Sequence, residues 1–192
     1  ATFRVNGMSI DVELGTAVVD FATVVTGLLD DLDYEEVPLL TDRKQLDLVA
    51  DLLQVQSRLS GVVHTVLGQV DRGEAAMTAH GVPTVSWLAS ELRYTRGQAS
   101  AMLHHANDLH RFTQLGDALR DGRANDRQAQ AVTQVLKKLP TDLGAEAETK
   151  AQATIVGHCE EFNSHELAGL SRYLLEVVAP EVAEEAEAKR QE

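Results

Sequence analysis

The stretch PTVSWLASELRYTRGQASAMLHHANDLHRFTQLGDALRDGRANDRQAQAVTQVLKKL, residues 83–139, decides the fold, because short helices with clear start signals follow one another along it. The first helix is predicted to begin at Thr84, whose hydroxyl can cap free N–H groups, after Pro83 keeps the preceding backbone extended. A second helix follows Thr95, since Thr95 and Gln98 have the spacing of a capping box. This succession predicts two helices that meet across a tight turn, in a helix-turn-helix rhythm.

Two further helices are predicted in the same stretch. A helix over residues 113–121 ends at Gly122, because glycine readily adopts the left-handed conformation that helix ends favour. The next helix opens with a second capping box, formed by Asn125 and Gln128, and Pro140 ends its apolar pattern. The central stretch therefore predicts two consecutive helical hairpins.

The longest predicted helix precedes this stretch. It opens at Thr41 and Asp42 and runs to about Arg72, and thirty residues at about 1.5 Å each span about 45 Å. Its length predicts that it is the backbone of the fold. The apolar positions expected to pack inward are Leu46, Val49, Ala50, Leu53, Leu59, Val63, Val66, Leu67 and Val70.

Other segments complete the prediction. Residues 16–32 show helical periodicity, although their β-branched content also allows a strand over residues 18–25. Beyond Pro140, Thr141 and Asp142 are expected to cap a helix that ends near Cys159, and Asn163 caps a final helix that Pro180 stops. Residues 1–14 are expected to be an irregular N-terminus or a remnant of expression cloning, and residues 73–81 a short connection. Residues 181–192 are expected to be a charged linker toward a further domain.

Composition favours an all-α protein. Aromatic residues make up only 4% of the chain, whereas alanine, leucine and valine are abundant, which suits helices packed through small and aliphatic side chains. We therefore expect one helical domain over residues 15–180, built as a bundle of about seven helices with one long helix and a helix-turn-helix-like centre.

Charge and cysteine content limit the possible partners and compartments. The net charge of -13 argues against a surface that is basic throughout, as general nucleic-acid binding would require. A single cysteine cannot form an intramolecular disulfide, and neither a signal peptide nor a membrane span is recognisable. We expect a cytoplasmic protein that does not enter the membrane.

The sequence contains no recognisable catalytic, metal or cofactor site. His158, Cys159 and His165 do not have the spacing of a zinc site, and His104 and His105 point about 100° apart on a helix. His64 is expected to be a hydrogen-bonded structural histidine, because no partner follows at i+4. The acidic run over residues 30–36 is expected to be solvated, since it lacks the glycine and alternating ligands of a calcium loop.

The central stretch carries a local excess of arginine in an otherwise acidic chain. If its second helix is a recognition helix, arginines would contact DNA phosphates while shorter polar side chains lie nearest the base edges. The predicted DNA-binding residues are Arg93, Arg96, Ser100, His104, Asn107, Arg111, Arg120 and Arg123.

A set of short motifs follows the long opening helix of residues 42–72. The motifs are Gly81, Trp87-Leu88-Ala89, Ala99, Ala106, Leu109, Ala118-Leu119, Gly122-Arg123, Gln128-Ala129, Leu139-Pro140, Glu166-Leu167 and Pro180. Through these residues the chain resembles, over residues 39–189, the N-terminal domain of the actinobacterial 13E12-repeat family, domain of unknown function family 222. It departs from the usual family pattern at Phe112-Thr113 and Ala124-Asn125, at the entries of two helices.

The resemblance implies an accessory domain of a longer protein. Members of that family usually continue into an HNH nuclease domain that holds a divalent metal and hydrolyses DNA, and no such motif lies in residues 1–192. The segment over residues 87–131 is also similar in layout to the DNA-binding helices of ParB-type partition proteins, which is an analogy of pattern.

Two functions remain open from the sequence. The first is a module that binds double-stranded DNA through the central helices. The second is a protein-interaction or homodimerisation scaffold that positions an attached nuclease and makes no DNA contact of its own.

Overall fold

The computed structural model describes residues 2–5, 8–11, 17–140 and 143–178. The chain forms two compact units, residues 1–49 and 50–192, whereas the sequence predicted one helical domain over residues 15–180. The described residues contain ten α-helices and one two-stranded sheet. The protein is therefore all-α, as composition and periodicity predicted.

The first unit opens with an antiparallel hairpin. Strand β1 (Thr2–Val5) pairs with β2 (Met8–Asp11), so that Thr2 lies opposite Asp11. The prediction that residues 1–14 are irregular was wrong for these two strands. Four-residue strands are too short for an alternating pattern to stand out in a sequence.

Two helices follow the hairpin. Helix α1 (Ala17–Asp30) replaces the strand that remained conceivable over residues 18–25. A 3-10 turn at Val37–Leu39 leads to α2 (Asp42–Arg72), which begins in the first unit and ends in the second. The start of α2 is where the sequence predicted it, and the Gln45 amide donates to the Thr41 carbonyl at 3.0 Å.

The second unit consists of the rest of α2 and eight shorter helices. They are α3 (Ala75–His80), α4 (Thr84–Glu91), α5 (Arg96–Arg111), α6 (Thr113–Asp121), α7 (Asp126–Leu136), α8 (Ala145–Gly157), α9 (Ser164–Gly169) and α10 (Ser171–Val178).

Capping boxes set the starts of three of these helices. Thr95 and Gln98 cap α5, and Asn125 and Gln128 cap α7, each through the two reciprocal hydrogen bonds that the sequence predicted. Asn163 caps α9 in the same way. At the end of α6, Gly122 has a φ of 78°, which only glycine adopts without strain. The family departures at the entries of α6 and α7 therefore leave both helix starts where the sequence predicted them.

Four local predictions were wrong. Thr84 begins α4 but its side chain makes no capping hydrogen bond, because Pro83 occupies the cap position. The connection over residues 73–81 contains α3, and the final predicted helix is broken into α9 and α10 at Leu170. Helix α8 starts at Ala145, which is later than predicted. The residues expected to cap it, 141–142, lie outside the described residues. The predicted linker over residues 181–192 also lies outside them.

The second unit contains two groups of buried apolar side chains. The larger group is supplied by α5 to α10 and includes Phe112, Leu115 and Leu119, none of which has any solvent-exposed surface. The smaller group joins α2, α4 and α5 through Leu67 and Leu88. Both groups contact α5, through Ala99 and Ala106 in the smaller group and Leu109 in the larger one.

No helix in the described part of the chain has the length and apolar character needed to cross a lipid bilayer.

Candidate functional site

Helix α5 presents the side chains that the sequence predicted to face DNA. Its buried residues, including Ala99, Ala106 and Leu109, face the two apolar groups. On its other side Ser100 is half-buried, and the exposed predicted residues are Arg96, His104, Asn107 and Arg111. The structure therefore brings these five α5 residues to one helix face.

Arg120 does not share that face. From α6 its guanidinium reaches α2, where Nη1 donates to Thr65 Oγ1 at 3.0 Å, while Nη2 binds the Asp117 carboxylate. Its backbone carbonyl accepts from Arg58 Nε at 3.1 Å. Arg120 is therefore engaged in holding α6 against α2.

Two more of the predicted arginines have a carboxylate partner. Arg111 Nη2 lies 3.1 Å from Glu148 Oε1 of α8, and Arg123 Nη2 lies 3.2 Å from Asp121 Oδ2. These carboxylates lower the positive potential that a phosphate would meet. The side chains of Arg93 and Arg96 make no hydrogen bond or ion pair with any residue that the structure describes.

Arg93 also has an unusual backbone. Its φ of 62° places it in the left-handed region, in the turn between α4 and α5. A non-glycine residue there is strained by about 1 kcal/mol or more. His104, by contrast, lines a groove of about 730 Å³ between α5, α7 and α9, together with Arg127, Lys137 and His165.

The apolar positions of α2 do not pack as the sequence predicted. Of the nine positions expected to pack inward, only Leu67 is buried. The side of α2 that faces the second unit instead buries Gly61, His64 and Gly68. Glycine allows the backbone of α2 to come close to its neighbours, which turns several aliphatic side chains outward.

The outward-facing aliphatic side chains form a continuous strip, here called the α2 stripe. At 100° per residue its members span about 80° around the helix. The stripe consists of Leu52, Val55, Leu59, Val63 and Val66, of which all but the half-buried Leu59 are at least 43% exposed. It contains no charged residue, and two of its members, Leu59 and Val63, also line the cleft described below.

A cleft of about 460 Å³ lies where α2, α5 and α7 meet. His64 of α2 and His105 of α5 are nine-tenths buried, and their rings meet edge to face with centroids 4.7 Å apart. Asp126, the first residue of α7, places Oδ1 at 4.0 Å from His64 Nε2. The same oxygen accepts a hydrogen bond from Ser60 Oγ at 2.8 Å.

Both histidines have ring nitrogens that lack a partner. His64 Nδ1 and His105 Nε2 are buried and form no hydrogen bond within the described residues. The expectation that His64 is fully hydrogen-bonded was therefore wrong. A buried polar atom without a partner costs about 1–3 kcal/mol, which the rest of the fold must offset.

The environment keeps both imidazoles neutral near pH 7. Burial lowers the pKa of His64, and the nearby Asp126 carboxylate opposes that effect. Burial also lowers the pKa of His105 to about 4, with a further contribution from His64. A neutral imidazole has one ring nitrogen available as an acceptor or as a metal ligand.

Sequence reasoning missed this cleft. The three residues lie far apart in the chain, and only the packing of α2 against α5 and α7 brings them together. The prediction that His104 and His105 point in different directions is confirmed, since His104 is exposed and His105 is buried. The only sequence signal for the cleft was that His64 and His105 each lie beside apolar positions of their helices.

Cys159 is a buried residue, as predicted. Its Sγ lies 3.8 Å from the Ile155 carbonyl, and burial raises the pKa of the thiol to about 11. A thiol that remains protonated is a poor nucleophile and a poor metal ligand. Among the described residues, His64, His105 and Asp126 are the group with the geometry to hold a metal ion.

Comparison with known proteins gives one match. The model of a family described as "Domain of unknown function (DUF222)" matches residues 46–192. No curated protein and no solved structure matches the chain.

Proposed function

The chain belongs to the family of domain of unknown function 222, and we propose that it is a non-catalytic helical interaction domain that pairs with a second copy of itself through the α2 stripe. The observation that carries the proposal is the exposure of the stripe, in which Val55 is 57% and Val63 is 45% exposed. Contiguous exposed aliphatic side chains are typical of protein-interaction surfaces.

The composition of the stripe suits a self-complementary interface. In a two-fold pair the same surface meets itself, so charged residues at its centre would face like charges. The stripe has none, and the nearest charged residues of α2, Asp51 and Arg58, lie along one edge of it rather than at its centre. A second copy can therefore meet this surface although the chain as a whole carries a net charge of -13.

The energetics predict a weak, concentration-dependent dimer. Full burial of an aliphatic side chain contributes about 1.5–3 kcal/mol, so a half-exposed one contributes about 1 kcal/mol. Five such side chains on each of two copies give about 10 kcal/mol, against about 4–15 kcal/mol for lost translational and rotational freedom. Added salt should strengthen the dimer, because it screens repulsion between the acidic copies.

The test is the molar mass of the full chain by light scattering over a range of concentrations. We expect the mass to rise from monomer toward dimer with concentration, and Val55→Asp to hold the protein as a monomer. Met77→Asp is the matched control, since Met77 of α3 is 46% exposed and lies outside the stripe. A wild-type mass that stays monomeric at every concentration would rule out this function.

A second candidate function is DNA binding through the exposed face of α5. The observation that favours it is that Arg93, in the turn before α5, and Arg96, at its start, have no carboxylate partner in the described residues, while His104 and Asn107 lie exposed on α5. The ion pairs of Arg111, Arg120 and Arg123 reduce the number of free cations. Binding by two or three arginines would be weak and strongly salt-dependent.

Fluorescence titration with labelled duplex DNA at low salt tests the second candidate. Arg96→Glu should abolish binding, whereas Lys44→Glu, which makes the same charge change at an exposed site of α2, should weaken it only slightly. If both variants bound DNA with the same affinity, the binding would depend only on the overall charge of the protein, which would contradict a role for α5. Salt separates the two functions, because it weakens DNA binding and strengthens apolar pairing.

The family resemblance suggests what the pairing of two copies would achieve in a longer protein. If the natural protein carries an HNH nuclease domain, pairing of two copies through α2 would hold two nuclease domains near each other. Size measurements on the longer protein and its Val55→Asp variant would test that setting.

A further inference from the structure

Three metal-ligand side chains from three different helices converge in the cleft between α2, α5 and α7. One ligand-type atom from each of His64, His105 and Asp126 lies within 4.8 Å of the other two. The two histidines are nine-tenths buried, and the carboxylate lies at the cleft. Convergence from three helices makes this arrangement a product of the tertiary packing.

The state of the two imidazoles points to a ligand. His105 Nε2 is buried and lacks a hydrogen-bond partner within the described residues, and His64 Nε2, the ring nitrogen that faces the cleft's carboxylate, lies 4.0 Å from Asp126 Oδ1, too far for a hydrogen bond. Folded proteins rarely leave buried polar atoms unpaired, and such atoms are usually paired with water, an ion or another ligand. The cleft beside these rings is wide enough for an ion and several water molecules.

The donor set selects the class of ligand. Imidazole nitrogen together with a carboxylate suits zinc and neighbouring first-row transition metals, whereas calcium and magnesium prefer oxygen ligands alone. We infer that His64, His105 and Asp126 bind one divalent transition-metal ion, such as Zn²⁺, in the cleft between α2, α5 and α7.

The geometry requires a small closure on binding. Metal bonds of about 2.0–2.1 Å in a tetrahedral site place ligand atoms about 3.4 Å apart. His64 Nε2 and Asp126 Oδ1 are 4.0 Å apart and no two ligand atoms are more than 4.8 Å apart, so side-chain rotations that shorten these separations by about 0.6–1.4 Å complete the site. Such movements leave the helices in place.

Ser60 is the positioning residue of this site. Its hydroxyl donates to Asp126 Oδ1 at 2.8 Å and so fixes the orientation of the carboxylate. Hydrogen bonds of this kind to metal ligands are worth about 10–100-fold in metal affinity. Three protein ligands leave one position of a tetrahedral zinc ion open to the cleft, which water or a ligand from solvent would fill.

The experiment is a titration of the EDTA-treated full chain with Co²⁺, followed by its visible absorption, and then competition by Zn²⁺. We expect one equivalent bound in the wild type. His105→Gln and Asp126→Asn, which preserve side-chain volume, should lower affinity by more than 100-fold, and Ser60→Ala should lower it about 10–100-fold. His104→Gln is the matched control, because His104 neighbours His105 but is exposed, and it should bind as the wild type does.

Two results would overturn the inference. One is a wild-type protein that binds no metal at micromolar protein concentration. The other is binding that persists in His105→Gln, or that His104→Gln removes, since either would place the ion elsewhere. Circular dichroism checks that each variant folds.

If His105→Gln does not fold, the test is made on the wild type by following the NMR signals of its histidine rings during titration with Zn²⁺. Zn²⁺ should shift the signals of two buried histidines and leave the exposed ones unchanged, whereas a shift confined to exposed histidines would contradict the site. Leu59 and Val63 of the α2 stripe also line the cleft, so the titration is repeated with Val55→Asp, because Val55 does not line the cleft and this change leaves the three ligands intact. Metal binding that is equal in this variant and the wild type separates the metal site from self-association.

Discussion

Gly61 of α2 and Arg120 of α6 approach so closely that a Cβ at Gly61 would lie 2.8 Å from the Arg120 amide nitrogen and 3.0 Å from its Cα. Arg58, about one turn before Gly61, donates a hydrogen bond to the Arg120 carbonyl. Thr65, about one turn after Gly61, accepts a hydrogen bond from the Arg120 guanidinium. Residues 58, 61 and 65 share one face of α2 and together fix the position of α6. This contact depends on a residue without a side chain.

Gly61→Ala should therefore destabilise the protein. The added methyl group meets backbone atoms, which cannot rotate away, and such overpacking costs about 1–3 kcal/mol. Gly97→Ala is the control, because Gly97 lies in α5 with no atom within 4 Å of an added Cβ. Alanine's better helix propensity should make that variant neutral or up to about 1 kcal/mol more stable. Urea unfolding of both variants measures the difference, and equal stabilities would contradict the close contact.

Arg120 and Arg123 should differ in their contribution to stability. Arg120→Ala removes the hydrogen bond to Thr65 and the ion pair with Asp117, so we expect a loss of about 1–3 kcal/mol in the free energy of unfolding. Arg123 pairs with Asp121 at the surface, and Arg123→Ala should cost about 0–1 kcal/mol. Thermal melting monitored by circular dichroism compares them, and an equal loss in both would show that Arg120 is not a structural residue.

The capping box of α7 gives a third prediction. The Asn125 side chain accepts from the Gln128 amide at 3.0 Å, so Asn125→Ala leaves an amide unsatisfied and should cost about 1 kcal/mol. Gln128 also donates to the carbonyls of Cys159 and Phe162, which links the cap to the end of α8. Asn107→Ala, an exposed change inside α5, should not reduce stability. Chemical unfolding that ranks the two variants in the opposite order would contradict the role of the cap.

Cys159 predicts a stability change at alkaline pH. Its pKa rises from 9.0 to about 11 in the folded state, because burial disfavours the thiolate. A raised folded-state pKa means that the stabilisation is complete below pH 9 and decreases as the pH rises toward 11, since the unfolded thiol ionises first. One pKa unit corresponds to about 1.4 kcal/mol, so the total loss is on the order of 2–3 kcal/mol.

Urea unfolding at pH 8 and pH 10, under reducing conditions, measures this effect. Cys159→Ala lacks the thiol but keeps the lysines and tyrosines that also titrate there. The wild type should lose about 1 kcal/mol more than this variant between the two pH values. Parallel losses in both proteins would mean that the Cys159 thiol ionises as readily in the folded state as in the unfolded one.

Short-range chemistry made most helix positions predictable. The capping boxes at Thr95 and Asn125 and the glycine at position 122 act within one helical turn, so their residues alone set the ends of α5, α6 and α7. The break at Leu170 had no proline or glycine signal at the residue itself and was not predicted. Thr84 shows the limit of such signals, since a residue suited to capping became the first residue of its helix.

The candidate sites were less predictable, because they depend on contacts between distant residues. The sequence identified the exposed face of α5, but not that Arg111 meets Glu148 or that Arg120 turns toward Thr65. The α2 stripe had been expected to pack inward, and the glycines of α2 decide instead which side approaches the neighbouring helices.

The sequence by itself determined the all-α class, the family and the start of α2, because helical periodicity and capping depend on residues within a few positions of one another. Only the tertiary structure decided that His64, His105 and Asp126 meet, and that an aliphatic stripe remains exposed. Both results depend on how α2 packs against α5, α6 and α7, which involves residues far apart in the chain, including the close approach of Gly61 to Arg120.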